Sequence, residues 1–434
     1  MAQPVQLALA PNPATTAAPD GDRPPLGAYV AFALPLMMTA LPLAILLPRF
    51  YAERTGVALA AIGLVLLGTR LVDAVIDPLL GSWVDAQKAG GSYTRPIAFA
   101  VPLLALGFVL LFVPPKAGAV ATLWWLGATL TCAYIGYSLA SIAYQAWGAE
   151  LAHDDAGRAR VTTVREGVGL LGVLLGGALP ALVGYTALSV AFVVALTLGV
   201  ALLLARAPRP RRRGGVPAGN PFRQFAVPLA TARFRWLLAV FALNALAPAI
   251  TATVFQFFVL DRLQLSDAGV AALLALYFLA GAASMPLWAR LARRVGLHRA
   301  WLIGMVAAVA AFIGAAGLGT GDAAPFAAIC VLSGLAFGAD LALPPALLAR
   351  VIDTNGHGGQ REGAYFGLWN FVNKLCLALA GGIALPLLAT LGYSPGARDP
   401  AALDALAVTY AAVPCGLKLG AAALLAAAWR QRRF

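Results

Sequence analysis

The sequence predicts an all-α membrane protein of about twelve helices, arranged as two six-helix halves. Hydrophobic residues make up 61% of the 434 positions and charged residues only 11%, whereas a soluble domain carries about 25% charged residues. Twelve apolar runs of roughly 20 residues follow one another, each long enough to cross a bilayer as a helix. A large soluble enzyme with buried helices would need polar helix faces, which these runs lack.

The runs fall into two groups of six. Those of the first half are predicted at 27–49, 57–80, 96–115, 119–143, 164–184 and 187–205. Those of the second half are predicted at 234–260, 268–289, 299–319, 323–349, 364–391 and 405–429. The predicted divisions are a disordered cytoplasmic tail (1–26), the first half (27–205), a cytoplasmic linker rich in Pro, Arg and Gly (206–232), the second half (233–429) and a basic cytoplasmic tail (430–434).

The net charge of +13 is explained by topology, because most of the basic residues lie in alternate loops. The densest clusters are Arg206, Arg209, Arg211, Arg212, Arg213, Arg223, Arg233 and Arg235, then Arg290, Arg293, Arg294 and Arg299, and last Arg430, Arg432 and Arg433. The positive-inside rule places these loops and both termini in the cytoplasm, with the chain in the plasma membrane (a bacterial inner membrane). A nucleic-acid partner is therefore not expected, and residues 1–26 lack the features of a signal peptide.

The second run carries three charges in one short stretch, Arg70, Asp73 and Asp77. An ionisable group in a spanning helix costs roughly 2.5–3.5 kcal/mol and usually marks a pathway. The three side chains share one helix face, and two carboxylates one turn apart repel each other unless a cation or proton lies between them. The pattern indicates a site for Na⁺ or H⁺ with Arg70 balancing the charge. The alternative is a structural Arg–Asp pair.

Lys374 in the eleventh run shares a helix face with Asn370. A buried ammonium needs a carboxylate partner, and Asp73 or Asp77 is the expected one. The alternative is a lysine that reaches toward water.

Asp340 in the tenth run is predicted to bind substrate or to pair with Lys374. Pro344 and Pro345 are predicted to break this helix beside a cavity. Lys418 in the twelfth run either extends toward water or packs in the interior, and the sequence favours neither.

A polar stripe in the fourth run, which includes Ser141, Tyr144 and Gln145, suggests a cavity wall. Arg165 could donate a fork of hydrogen bonds to cargo or pair with Glu166 or Glu150. The candidate cavity residues are Arg165, Gln145, Tyr144, Asp340, Asn370 and Trp369.

Six helices, a basic linker and six more helices resemble the layout of the major facilitator superfamily, whose substrate site lies at mid-depth between two rocking halves. The turn from Gly81 to Asp85, followed by Arg95, resembles the gating loop of that superfamily, in which the carboxylate caps and pairs at a helix end. Ala86 stands where the superfamily has a basic residue, and a plain solvated turn is the alternative.

Two blocks resemble the glycoside–pentoside–hexuronide:cation symporters, the melibiose-permease-like branch of that superfamily. The first is the Arg-x-x-Asp-x-x-x-Asp-Pro pattern that ends at Pro78, and the second runs from Val351 through Glu362 to Lys374 and the turn at Tyr393. The resemblance covers most of residues 28–425. It implies that Asp73 and Asp77 are cation ligands, that Lys374 is their charge partner and that Arg165 lies on the substrate side.

At two positions the sequence departs from the pattern of this branch, and both positions concern the binding of cargo. Sugar-transporting members of the branch carry an Asp in helix one, where Met37 stands here, and another in helix four, where Ser141 stands with Gln145 in place of a nearby Trp. Ser141 could still serve as a neutral cation ligand. Cation coupling is therefore supported better than sugar specificity.

The resemblance implies alternating access with cation-coupled (Na⁺ or H⁺) symport of a small organic solute, a sugar or glycoside. A carrier of lysolipid-like cargo and a non-transporting sensor or scaffold are the alternatives. An enzyme is not expected, because His153, His298 and His357 fall in predicted loops without a nucleophile. We expect no cofactor and no metal beyond Na⁺. The expected partners are the solute and membrane lipid, and the chain is expected to work as a monomer.

Overall fold

The computed structural model of the protein describes residues 26–88, 92–152, 154–210, 221–394 and 396–431. The predicted tail before Leu26, linker residues 211–220, His153 and residues 432–434 lie outside the described residues. Within the described ranges the chain forms helices and turns and contains no strand.

The described residues form fifteen α-helices, and all of them except the one in the linker region contribute to twelve passes. The helices of the first six passes are α1 (Gly27–Val30), α2 (Ala33–Met38), α3 (Leu47–Thr55), α4 (Leu59–Gln87), α5 (Thr94–Leu111), α6 (Ala119–Glu150) and α7 (Asp155–Arg206). The later helices are α8 (Pro221–Ala230), α9 (Ala232–Phe257), α10 (Asp267–Val295), α11 (Leu297–Phe312), α12 (Ala323–Thr354), α13 (Glu362–Thr390), α14 (Pro400–Ala407) and α15 (Val413–Arg430). The predicted all-α architecture of twelve passes is confirmed in the described part of the chain.

Ten segments in the described ranges are long and apolar enough to cross a membrane. The two remaining passes are the first, which is built from α1 to α3, and the second, α4, which carries Arg70, Asp73 and Asp77. Gly184 has φ 84° and divides α7 into the fifth and sixth passes. The chain is therefore a multi-pass membrane protein.

The first pass is not the single helix that hydropathy predicts over 27–49. It contains a π-helical turn, Pro42–Leu46, between α2 and α3. Pro35, Pro42 and Pro48 lie along this pass, and each removes a backbone N–H that a regular helix would use. The interruption follows from these prolines.

Several helices continue beyond their predicted ends. The second pass ends at Gln87 instead of residue 80, and the fourth at Glu150 instead of 143. Hydropathy detects only the part of a helix that lies in the apolar core, and it does not detect a charged turn beyond that core. The predicted break at Pro344 and Pro345 is wrong, because α12 continues through both. The linker region also contains a helix, α8, and His298 lies in the first turn of α11.

The two sets of six passes meet along α4 and α13, and along α7 with α10 and α12. We call the end of the bundle that carries residues 92–93, 151–152 and 355–361 the basic end. At this end Gly81 and Gly363 touch backbone to backbone, so that a Cβ on either would overlap the carbonyl of the other. The polar contacts described below that join the two sets lie at this end or at mid-depth.

Candidate functional site

The ammonium of Lys374 lies between two carboxylates of α4. Its Nζ is 2.7 Å from Asp73 Oδ1, 2.9 Å from Asp77 Oδ1 and 2.8 Å from Asp77 Oδ2. Asp77 is fully buried and Asp73 nearly so. Both aspartates lie on the first set of passes and Lys374 on the second, so one cation ties the two sets together. Asp77 is ten residues, about 15 Å, from the Gln87 end of α4, so the cluster lies within the bundle and away from that helix end.

Ser138 completes this cluster, and the sequence did not single it out. Its hydroxyl donates to Asp73 Oδ1 at 2.8 Å and accepts from Lys374 Nζ at 2.7 Å. Ser141, the predicted neutral ligand, lies one turn further along α6 and accepts a hydrogen bond from Gln145 Nε2 at 2.8 Å. The structure therefore places Ser138, and not Ser141, beside the carboxylates. We refer to Asp73, Asp77, Ser138 and Lys374 as the inter-half cluster.

Arg70 does not join this cluster. Its side chain is exposed and lies beside Tyr134 of α6, and within the described residues it forms no ion pair with Asp73 or Asp77. A shared helix face does not bring the groups together here, because Lys374 and Ser138 approach the carboxylates from neighbouring helices.

Asp340 pairs with Lys418 and not with Lys374. Lys418 Nζ lies 2.5 Å from Asp340 Oδ2 and donates to Asn244 Oδ1 at 3.0 Å. Asp340 Oδ1 accepts hydrogen bonds from Asn244 Nδ2 at 3.1 Å and from Trp301 Nε1 at 3.0 Å. We call these four residues the C-half cluster, since α9, α11, α12 and α15 all belong to the later passes. Lys418 is thus a buried ion-pair partner rather than a lysine at the surface.

Arg165 lies deep in α7 and pairs with its neighbour. Its Nε and one terminal nitrogen donate to Glu166 Oε1 at 3.0 and 2.7 Å. Arg165 and Gln145 line a small pocket whose other walls come from α12 and α13. These two predicted cavity residues therefore do face a space between the two sets of passes.

The other predicted cavity residues are less accessible. Tyr144 is buried, and it exchanges hydroxyl-to-carbonyl hydrogen bonds of 2.9 Å with Tyr29. Trp369 is buried against Phe241, with ring centroids 3.6 Å apart. Asn370 is half-buried one turn from Lys374. Tyr144 and Trp369 pack as core residues, and Asn370 does not line the pocket of Arg165 and Gln145.

At the basic end Asp85 caps a helix of the opposite set. Its two carboxylate oxygens accept from the backbone N–H groups of Gly363 and Ala364, both at 2.7 Å. A carboxylate is stabilised there by the unpaired N–H groups and the positive end of the α13 dipole. The contact with Gly81 brings the two helices close enough for this cap. Arg95 is exposed and makes no ion pair within the described residues.

Two groups of charged residues surround this contact, and the sequence did not predict them as site residues. Beside Asp85, buried Lys88 contacts Glu150, donates to the Gly359 carbonyl at 2.8 Å and lies 3.8 Å from Glu362. Hydropathy assigns these positions to loops or helix ends, which hides their burial.

The second group lies beside it and is exposed in part. Arg158 pairs with Asp353 and lies 3.4 Å from Asp155, and Arg350 lies 2.8 Å from Asp155. His357 Nδ1 is 2.8 Å from the Tyr365 hydroxyl. Burial, together with the charge of Arg361, lowers the pKa of His357.

Comparisons with known proteins agree with this architecture. Residues 28–427 match the family described as "MFS/sugar transport protein". The "Uncharacterized symporter YjmB" of Bacillus subtilis is 24% identical over 409 residues, 86% of each chain. The "Isoprimeverose transporter" of Lactiplantibacillus pentosus is 24% identical over 414 residues, 87% of this chain and 82% of that protein.

Solved structures share the fold at lower identity. A bacterial homologue of the iron transporter ferroportin, in an outward-facing state, has a TM-score of 0.69 at 15% identity and covers 92% of this chain and 97% of that one. The E. coli fucose:proton symporter FucP has a TM-score of 0.62 at 15% identity over 91% of this chain and 98% of that one. These similarities confirm the major facilitator fold, and the family is one of transporters rather than enzymes. The chain therefore belongs to the MFS/sugar transport protein family, as its resemblance to the glycoside–pentoside–hexuronide:cation symporters predicts.

Proposed function

We propose that this protein is a cation-coupled symporter that moves a neutral sugar or glycoside across the membrane by alternating access. The observation that carries the proposal is the position of Lys374, whose ammonium contacts two buried aspartates from the other set of passes. A cation of the driving gradient, Na⁺ or H⁺, would compete for the same oxygens. Binding energy at this position is thereby coupled to the contact between the halves.

The net charge and the ligand atoms of the cluster favour the binding of a cation. Two carboxylates and one ammonium carry a net charge of −1, which attracts a monovalent cation in a medium of low dielectric. The carboxylate oxygens and the Ser138 hydroxyl are hard oxygen ligands, of the kind that hard cations take. When the cation binds, the hold of the aspartates on Lys374 weakens and the two halves become free to rock. No group of three or more His, Cys, Asp or Glu side chains in the described ranges could hold a metal ion.

The orientation follows from the basic loops. By the positive-inside rule the basic end faces the cytoplasm of the plasma membrane, and both termini lie there. The contacts of Asp85, Lys88 and Arg158 with the opposite half would then close the cytoplasmic side. The described conformation corresponds to the outward-facing state of the cycle, and the chain acts as a monomer.

The family and the isoprimeverose transporter of L. pentosus favour a glycoside as cargo. Within the cavity Arg165 is paired with Glu166, so this pair offers donors and acceptors to hydroxyl groups without a net charge. Gln145, which lines the same pocket, adds an amide group that also suits hydroxyl groups. These features support a neutral cargo over a carboxylate.

Uptake into proteoliposomes tests the proposal. Radiolabelled isoprimeverose and a panel of neutral glycosides are offered with an inward Na⁺ gradient, with an inward proton gradient and with neither. Accumulation of a glycoside above its equilibrium concentration with only one of the two cation gradients supports symport and identifies the coupling ion. The Asp77→Asn protein serves as the matched variant, and Asp404→Asn, an exposed change at the opposite end of the bundle, serves as the control.

Other outcomes would reject the proposal. Uptake that proceeds equally without a gradient, or normal cation dependence in Asp77→Asn, contradicts coupling at this cluster. Binding of lysolipids in place of glycosides would show an amphipathic cargo. A protein that folds and takes up none of these compounds would fit a membrane sensor.

A further inference from the structure

Three helix ends of the second half carry arginines that no carboxylate neutralises. The five arginines, which we call the arginine patch, are Arg290, Arg293 and Arg294 in the last turns of α10, Arg299 in the first turn of α11 and Arg430 at the end of α15. All five side chains are exposed, and within the described residues none of them forms an ion pair. The sequence contains no Asp or Glu from residue 268 to residue 321 or after residue 404. The patch therefore has an excess of positive charge.

The patch lies where three spanning segments end. The helices α10, α11 and α15 each belong to a segment that is long and apolar enough to cross a membrane. One residue separates α10 from α11, and the Arg299 guanidinium lies 4.7 Å from the centre of the Trp429 ring on α15. His298, beside Arg299, is within electrostatic reach of Asp155 and Arg350 at the basic end. Trp is typical of the boundary between the hydrocarbon core and the headgroups, so we expect the patch at headgroup level.

Exposed apolar side chains lead from these arginines toward the middle of their helices. On α10, Leu287 is exposed one turn before Arg290. On α11, Ile303 and Val306 are exposed one and two turns after Arg299. Residues three or four apart share a helix face, so on each helix an exposed apolar surface ends in an arginine. This order matches a phospholipid, whose acyl chains lie in the hydrocarbon core and whose phosphate lies at the boundary.

We propose that the arginine patch binds the headgroup of an anionic phospholipid, one whose phosphodiester has no ammonium beside it, as in phosphatidylglycerol. Arginine presents a planar fork of donors that binds two oxygens of a phosphate at once, and a basic cluster next to a spanning helix attracts anionic lipid. A zwitterionic phospholipid carries its own ammonium, which the arginines repel. The inference goes beyond the proposed symport, because it concerns a surface that faces lipid.

Other basic residues at the same end are arranged differently. In the first half, Lys88 at the end of α4 is buried and contacts Glu150, and Arg95 in the first turn of α5 is a single exposed cation. Between the halves, Arg158 and Arg350 pair with carboxylates. The positive-inside rule explains the sign of the charge at this end. It does not explain why unpaired arginines are gathered beside an exposed Trp on three adjacent helix ends of one half.

Native mass spectrometry of the full chain in detergent tests the site. The delipidated protein is titrated with dioleoyl-phosphatidylglycerol, with dioleoyl-phosphatidylcholine and with glycerol phosphate, which is the headgroup without acyl chains. The fraction of protein that retains each compound gives its affinity. We expect phosphatidylglycerol to bind at least about tenfold more tightly than phosphatidylcholine, and we expect glycerol phosphate not to be retained.

Two variants that each lose three exposed arginines locate the binding. The patch variant carries Arg293→Gln, Arg294→Gln and Arg299→Gln, and the control variant carries Arg95→Gln, Arg206→Gln and Arg209→Gln. The preference for phosphatidylglycerol should fall at least about fivefold in the patch variant and should be retained in the control variant, which has the same net charge. Arg290→Gln with Arg430→Gln gives the same test if the patch variant fails to fold.

Equal affinity of the native protein for the two lipids would overturn the inference, and so would equal loss of preference in the patch and control variants. An unchanged preference in the patch variant would overturn it as well. Retention of glycerol phosphate alone would show a site for a soluble anion in place of a lipid site. The titration uses no cargo and no ion gradient, so its result is independent of the symport proposal.

Discussion

Two lysines that pair with carboxylates inside the bundle, half-buried Lys374 and buried Lys418, differ in what they join. Lys374 contacts Asp73 and Asp77 on the opposite half, so its ammonium is shared by two carboxylates. Lys418 contacts one carboxylate, that of Asp340, and Asn244 and Trp301 complete the hydrogen bonds of the pair. The inter-half cluster has an excess negative charge and spans the boundary between the two sets of passes. The C-half cluster is neutral and lies inside one set of helices.

The two clusters therefore have different expected roles. The inter-half cluster is expected to take part in the transport cycle, whereas the C-half cluster stabilises one set of helices. A neutral, fully hydrogen-bonded pair can travel with its helices through the cycle without change. A cluster with net charge −1 across the boundary changes its energy when a cation arrives and when the halves separate. Under the proposed mechanism, the same pair of residue types, Lys and Asp, is a structural clamp in one place and a coupling site in the other.

The largest effect is expected from Asp77→Asn. Loss of one partner from a buried ion pair costs about 3–5 kcal/mol, which corresponds to roughly 100-fold or more in an equilibrium. We expect cation-driven uptake to fall by at least this factor, as measured in proteoliposomes. Asp340→Asn should lower thermal stability. The cation concentration for half-maximal uptake should stay within about threefold of that of the native protein. Equal loss of cation dependence in the two variants would remove the distinction between the clusters.

Paired neutral substitutions sharpen the comparison. Replacing both members of a buried ion pair by apolar residues is often neutral or stabilising. Asp340→Leu with Lys418→Met should therefore recover the stability that Asp340→Asn loses and should retain coupled uptake. Asp77→Leu with Lys374→Met leaves Asp73 without its ammonium partner, so it should recover less stability than the Asp340/Lys418 pair and should not couple. The melting temperature and the uptake rate are measured for each pair, and a coupled Asp77/Lys374 double variant would contradict the account.

Substitutions at Gly81 and Gly416 compare the contact between the two halves with the interior of the second half. A Cβ at Gly81 would overlap the Gly363 carbonyl, and overpacking of this kind costs about 1–3 kcal/mol. Gly81→Ala should favour the conformation that is open at the basic end, as measured by alkylation of a cysteine introduced at that interface. Gly416→Ala, near Lys418, meets no atom within 4 Å and should not alter the alkylation rate. An unchanged rate in Gly81→Ala would contradict the close contact.

The smallest effect is expected at the serines. Ser138→Ala removes hydrogen bonds to Asp73 and Lys374, each worth about 1 kcal/mol, so the cation affinity should change about fivefold to 30-fold. Ser141→Ala, which loses only a contact with Gln145, should change it by less than about threefold. Calorimetric titration of the purified variants measures both. The reverse ranking would favour Ser141 as the ligand.

The sequence predicts the twelve passes and the meeting of Asp73, Asp77 and Lys374, because charges in apolar runs are few and must find partners. It does not predict whether Asp340 pairs with Lys374 or with Lys418. Lys374 and Lys418 are each a single cation in an apolar run, and only helix packing decides between them. Ser138 was missed for a similar reason, since the rotation of α6 against α4 selects it over Ser141.

The charges at the basic end were missed for a different reason. Lys88, Glu150 and Glu362 lie in charged turns beyond the apolar core, where hydropathy ends a helix. Their burial arises from the approach of two helix ends from different halves. A sequence pattern within one helix carries no information on that approach.

Cation binding to Lys374→Met tests the central claim most directly. If the ammonium occupies the position where the cation binds, removal of that ammonium leaves Asp73 and Asp77 with a stronger need for a counter-charge. Calorimetric titration with Na⁺ and with protons, on the native protein and on Lys374→Met, compares the two affinities. We expect the variant to bind the coupling cation at least about tenfold more tightly and to have lost coupled uptake. Unchanged or weaker cation binding in Lys374→Met would contradict competition at this site.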